Sequence, residues 1–131
     1  METNELMIGD WVLTQEGKPT QVYQIYNGIV ATTDPSTTLY NVECFQPIKL
    51  TSEILEKNGF VHKTRWMQKG NFGDPPLILW HLLSSKILNK PEHLLEIHCG
   101  MKNIHISFVC EYVHQLQHAL RLAGSDMNIT L

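Results

Sequence analysis

The chain has 131 residues, 43% of them hydrophobic and 18% charged, with a net charge of -3 and a pI near 6.1. That length fits one domain, or two very small ones sharing a core, and it buries enough surface to fold without staples. No apolar run reaches the ~20 residues of a membrane span, and the acidic balance gives no global pull toward nucleic acid or anionic lipid. METNELMIGDWV carries acidic Glu2 and Glu5 and neither a basic nor a long apolar segment. The expectation is therefore a cytoplasmic chain without a secretory leader or membrane contact. Cys44, Cys99 and Cys110 are odd in number, widely spaced and free of CxxC patterns, so they read as free thiols rather than a disulfide framework or zinc ribbon.

In chain order, Leu6–Ile8 and Trp11–Leu13 read as short strands separated by Gly9-Asp10. Thr20–Tyr26, rich in β-branched and aromatic residues, runs into Asn27-Gly28, the dipeptide best suited to a type I′ hairpin. Ile29–Thr33 is the predicted return strand. Asp34-Pro35-Ser36 turns the chain again, and Thr38–Phe45 is the next candidate strand, closed by Pro47. Short strands with turns this tight predict a small curled sheet or SH3-like barrel.

At LTSEILEKNG the composition changes. Thr51 is placed to cap a short helix, Glu53 lies in its first turn, Leu50 and Leu55 can staple the entry, and Asn58-Gly59 supplies the stop. This helix reads as a connector. FVHKTRWMQ then returns to strand, and LILWHLL, apolar except for His81, reads as a buried strand because Pro75-Pro76 precedes it. In LLEIHCGMKNIHISF, a hairpin with Met101-Lys102 at its tip sets Ile97 opposite Ile106 and Leu95 opposite Phe108. The same register sets His98 opposite His105 and Glu96 opposite Ser107. A helical stripe of Val109, Val113, Leu116, Leu120 and Ala123 follows, ended by Gly124. Asn128–Leu131 can add an edge strand.

Candidate chemistry is sparse. His114 and His118 have the i, i+4 spacing of helical zinc sites, but residue 115 is glutamine, which cannot act as the general base of a zincin. Both also project more than ~120° from the centre of the apolar stripe, so solvent exposure is expected. His98 and His105 could share a metal across strands, although no spacing supplies a further ligand. These four histidines are weak metal candidates, and the reading assigns no metal, no cofactor and no catalytic residue. Lys57, Lys63, Arg65 and Lys69, interleaved with Phe60, Trp66 and Phe72, form the one basic aromatic strip. Within it Lys63, Arg65, Trp66 and Lys69 are the nucleic-acid candidates. The turn-like settings of Asp10, Asp34, Asp74 and Asp126 mark them as turn residues. No phosphate loop or GxSxG elbow occurs.

Three stretches, LMIGDWV, PIKLTSEILEKNGF and YVHQLQHALRLAG, together resemble a family of uncharacterised small proteins of gut Bacteroidota bacteria and their prophages or mobile elements, along nearly the whole chain. The resemblance implies a phage-type or mobile-element accessory protein acting through binding. It carries no activity, cofactor or site residue. The combined expectation is an α+β protein: a small SH3-like β-barrel or curled sheet over residues 1–50, a short connector helix, and an antiparallel sheet packed by one amphipathic helix within residues 51–131. That helix is expected over 109–123. A non-catalytic interaction or structural accessory role is expected, with a protein partner or self-association. A nucleic-acid-binding module is the alternative, and a metal-dependent enzyme ranks third.

Overall fold

The computed structural model describes residues 5–33, 40–71, 74–84, 91–99, 104–124 and 127–131. The chain is mixed α+β, with most of its regular structure in two antiparallel five-stranded sheets. It divides into two compact units: Met1–Lys49 with Tyr112–His118, and Leu50–Glu111 with Ala119–Leu131.

In the first unit, β1 (Trp11–Leu13), β2 (Pro19–Tyr26), β3 (Ile29–Thr32), β4 (Tyr40–Asn41) and β5 (Gln46–Pro47) form a sheet in the order β4-β3-β2-β1-β5. The β2–β3 turn is Asn27-Gly28, with φ of 46° and 79°, the two positive values a type I′ turn requires and the reason these residues occupy it. The described strands β4 and β5 are the two edges of this sheet, which is open between them. Leu6, Val12, Val22, Val30, Val42 and Phe45 form the core of the unit, with Ile25 packed against it.

Two expected strands are shorter or absent here. Leu6–Ile8 is not a strand, because Asp10 folds it into a turn: the Met7 amide donates to Asp10 Oδ2 at 2.7 Å and the Asp10 amide donates to the Met7 carbonyl at 3.1 Å. The strand expected over Thr38–Phe45 is limited, among its described residues, to Tyr40–Asn41. The Asn41 side chain then accepts from the Glu43 amide and starts a 3-10 turn over Val42–Cys44. Such local side-chain acceptors compete with ladder bonds.

The second unit opens with α1 (Ser52–Lys57), whose Thr51 hydroxyl accepts from the Ile54 amide at 3.3 Å. The cap contributes about 1 kcal/mol. Leu50 and Leu55 are both buried, as a staple requires. The sheet order is β10-β9-β8-β7-β6, from β6 (Val61–His62), β7 (Trp66–Asn71), β8 (Asp74–Ser84), β9 (Pro91–Cys99) and β10 (Ile104–Val109). The expected single run FVHKTRWMQ is in fact two strands, because the Lys63 amide donates to the Trp66 carbonyl and turns the chain. LILWHLL is a strand, and Leu77, Ile78, Leu79 and Trp80 are all buried. A strand covered on both faces has no reason to alternate in polarity. Gly70, at φ 91°, occupies the irregularity between β7 and β8, where an added Cβ would collide with the Pro76 carbonyl oxygen.

The β9–β10 register is the one read from sequence: Ile106 pairs with Ile97, Phe108 with Leu95, His105 with His98 and Ser107 with Glu96. The residues expected at the hairpin tip, Met101-Lys102, lie outside the described residues. Strand β10 continues through Val109, so α2 (Val113–Leu122) begins later than expected. The cause is backbone pairing: Val109 lies opposite Leu94, and the Cys110 amide donates to the His93 carbonyl at 2.9 Å. Residues 128–131 add no strand. Asn58 instead clasps Thr130, donating to its carbonyl and accepting from its amide, both at 2.7 Å.

Candidate functional site

The start of α2 belongs to the first unit, and its polar residues are internal. The Val113 amide donates to the Ile48 carbonyl at 2.8 Å, and the Tyr112 amide donates to Gln115 Oε1 at 3.1 Å. Gln115, which fails as a zincin base, is thus half of a capping box. Two residues on, Gln117 acts as a backbone clasp for the turn before β1. Its Oε1 accepts from the Trp11 amide and its Nε2 donates to the Gly9 carbonyl, each at 2.9 Å. Gln21 also donates to that carbonyl, at 3.1 Å.

His114 does not face solvent as expected, and His118 is half-buried. His114 is 6% exposed, and Asp10, which meets His118, is fully buried. His118 Nε2 lies 2.6 Å from Asp10 Oδ2. A carboxylate only accepts, so the proton on this bond belongs to Nε2 and the other ring nitrogen, Nδ1, is directed away from Asp10. The rings of His114 and His118 meet edge to face at 5.6 Å, and Tyr112 stacks on His114 at 5.9 Å. Burial holds His114 below its ordinary value of 6.5. Asp10 and Glu5 act in the opposite direction, and His118 adds to the lowering. His114 Nδ1 is buried, with no hydrogen-bond partner among the described residues. An open cleft of about 470 Å³ is lined by Glu5, Pro47, Tyr112, His114, Gln115 and His118.

The single-stripe expectation fails because buried positions on α2 run from Val113 and His114 through Leu116, Gln117, Ala119 and Leu120. At ~100° per residue they cover more than half of the helix circumference. Asp10, read as a turn residue, does shape the turn and in addition holds His118. Nothing in one sequence links positions 10 and 118. The available signal was a carboxylate next to a glycine turn and a helical histidine with no other partner.

The second unit holds two further histidine clusters that spacing alone did not reveal. Glu96 bridges His81 Nε2 at 3.5 Å and His98 Nε2 at 3.6 Å. His98 and His105 are opposite in register, but the His105 side chain is outside the described residues, and the neighbour actually found near Glu96 is His81. His93 stacks on Trp80 with ring centroids 4.1 Å apart, while Glu111 receives both the amide and Nδ1 of His93. The Trp80 indole donates to the Cys110 carbonyl at 2.9 Å. Strand parity places His93 on the face of Leu95 and Ile97, a position where an unpaired imidazole is costly, and that signal was available. Burial, reinforced by Glu111, pushes the Cys110 thiol up to about 12, so it does not supply a thiolate near neutral pH. Among the described residues no group of three or more His, Cys, Asp or Glu is arranged to hold a metal ion.

Lys57, Lys63 and Arg65 are exposed, Phe60 is buried, and Phe72 lies outside the described residues. Trp66 is half-buried with its indole donating to Gln68 Oε1 at 2.9 Å, and Lys69 Nζ donates to the Asn58 carbonyl at 2.9 Å. Among the described residues no helix is long and apolar enough to cross a membrane. No family model, curated protein or solved structure matches the chain.

Proposed function

We propose that this chain is a non-catalytic interaction protein, a cytoplasmic accessory component of phage or mobile-element type, that self-associates through strand β10. One observation carries the reading. Among the described residues, three of the four sheet edges, β4, β5 and β6, are two residues long, whereas β10 has six residues, Ile104–Val109, and none is charged or proline. Long uncharged edges are what proteins ordinarily avoid unless another strand covers them.

A second copy is the occupant that the strand's own pattern fits. Antiparallel self-pairing centred on Ser107 sets Ile106 opposite Phe108 of the other copy and preserves the two faces of the sheet, with no like charges opposed. Ile106 and Val109, 39% and 44% exposed, lie on opposite faces of β10, so such pairing covers apolar surface on both sides.

Sedimentation velocity between roughly 5 and 200 µM tests this. A dimer that Ile106→Lys abolishes, with the circular dichroism unchanged, is the expected result. Tyr26→Lys, which alters the exposed Tyr26–Ile29 pair of the first sheet, serves as the control and leaves the dimer intact. A monomer throughout the range, or a dimer lost only with Tyr26→Lys, overturns the proposal. The nucleic-acid reading retains Lys63 and Arg65 as exposed groups, and no observation among the described residues favours it over self-association.

A further inference from the structure

We propose that the cleft beside α2 is a binding site for an organic ammonium group carried on a short apolar stem. Its volume of about 470 Å³ falls in the range of small-ligand sites, and the chemistry of its walls selects the sign of the ligand. The lining residues are Glu5, Pro47, Tyr112, His114, Gln115 and His118. None is lysine or arginine. Glu5 brings a carboxylate, and Asp10 stands behind His118 at 2.6 Å. With Asp10 as carboxylate and His118 as its donor the pair adds no net positive charge, so Glu5 sets a negative balance.

With Nε2–H given to Asp10, a neutral His118 ring offers its Nδ1 lone pair as an acceptor. Tyr112 adds an aromatic face suited to a cation, and Pro47 an apolar wall for the stem.

An anion is the competing ligand, because helix N-termini attract them. Here four of the five amides from Tyr112 to Leu116 are already engaged. The amide of Tyr112 donates to Gln115 Oε1, that of Val113 to the Ile48 carbonyl, and those of Gln115 and Leu116 to the Tyr112 carbonyl. Among the described residues that leaves the His114 amide, and the Glu5 carboxylate in the same cleft opposes an anion there.

The test is an NMR titration of the full chain at constant ionic strength, reading the imidazole resonances of His114 and His118. The probes are n-butylammonium, the peptide acetyl-Ala-Lys-Ala-amide, and butyrate as the anionic counterpart of the first. Saturable shifts with an ammonium probe and none with butyrate are expected, weakened about tenfold in Glu5→Gln, since Glu5 is an exposed residue whose neutral analogue leaves the fold intact. Binding of the free amine alone identifies a small metabolite-like ligand; binding of the peptide alone identifies a lysine side chain; binding of both assigns recognition to the ammonium itself. Each of these upholds the site. Unmoved resonances up to about 20 mM of both ammonium probes, equal shifts with butyrate, or unchanged affinity in Glu5→Gln overturn it.

Discussion

His118 donates from Nε2 to Oδ2 of Asp10 across 2.6 Å, although the two residues are 108 positions apart in the chain. Asp10 also accepts from the Met7 amide, so a single buried carboxylate fixes both the turn before β1 and the helix that meets it. Asp10→Ala removes both bonds and leaves His118 and Met7 without their acceptor. The expected loss is on the order of 3 kcal/mol, measured as a lowered urea midpoint. Asp10→Asn keeps an acceptor and is expected to lose less.

Acid should loosen the same unit through His114. Its buried ring titrates below 6.5, so the unfolded chain binds the proton more readily than the folded one. Stability is fully present above about 6.5 and falls as the pH drops through the lower folded value. The urea midpoint measured from pH 8 to pH 5 should decline, and His114→Gln should flatten that decline.

Cys110 should behave as an inert thiol. With its ionisation pushed up to about 12, native protein treated with iodoacetamide at pH 8 should retain an unmodified Cys110 peptide by mass spectrometry. The half-buried Cys44 should alkylate faster. Unfolding in urea should make Cys110 react as well.

Gly70→Ala should destabilise the second unit by roughly 2 kcal/mol or more, since it combines a positive φ with a collision against backbone. The colliding atom is the Pro76 carbonyl oxygen, which cannot swing aside as a side chain does. Thermal unfolding followed by circular dichroism reads this directly. Gly28→Ala has the positive φ without any neighbour within 4 Å and should cost less.

Asn58 offers a local test of the clasp on Thr130. Asn58→Ala removes the side-chain bonds to Ile54 and Thr130 and should cost about 2 kcal/mol. Hydrogen exchange at the Thr130 amide should accelerate more than exchange at Leu95 in the sheet core.

Features that depend on neighbouring residues were readable in the sequence. Asn27-Gly28, the Thr51 cap, the strand LILWHLL and the β9–β10 register all follow from local propensity or from strand parity. Val113, Leu116 and Leu120 were correctly read as buried. What failed was any inference that needed the far partner. His114 and His118 were assigned to solvent because only one face of their helix had a sequence signal, and the second face is formed with Gly9, Asp10 and Trp11, about a hundred residues upstream. The apparent strand through Lys63 and Arg65 failed for a different reason, since a turn closed by the Trp66 carbonyl leaves no mark in hydrophobic periodicity.

The clasp of Gln117 on Gly9 and Trp11 has a consequence for the order of events during synthesis. The N-terminal sheet leaves the ribosome well before residues 112–118 exist, so its turn emerges with the Gly9 carbonyl, the Trp11 amide and the Asp10 carboxylate still awaiting their distant partners. Closing a loop this long carries an entropic cost that grows only slowly with length, but it delays completion of the first unit until residues 112–118 are available. A nascent chain with residues 112–118 still inside the exit tunnel would display an incompletely satisfied sheet, and a chain with those residues released would display a finished one.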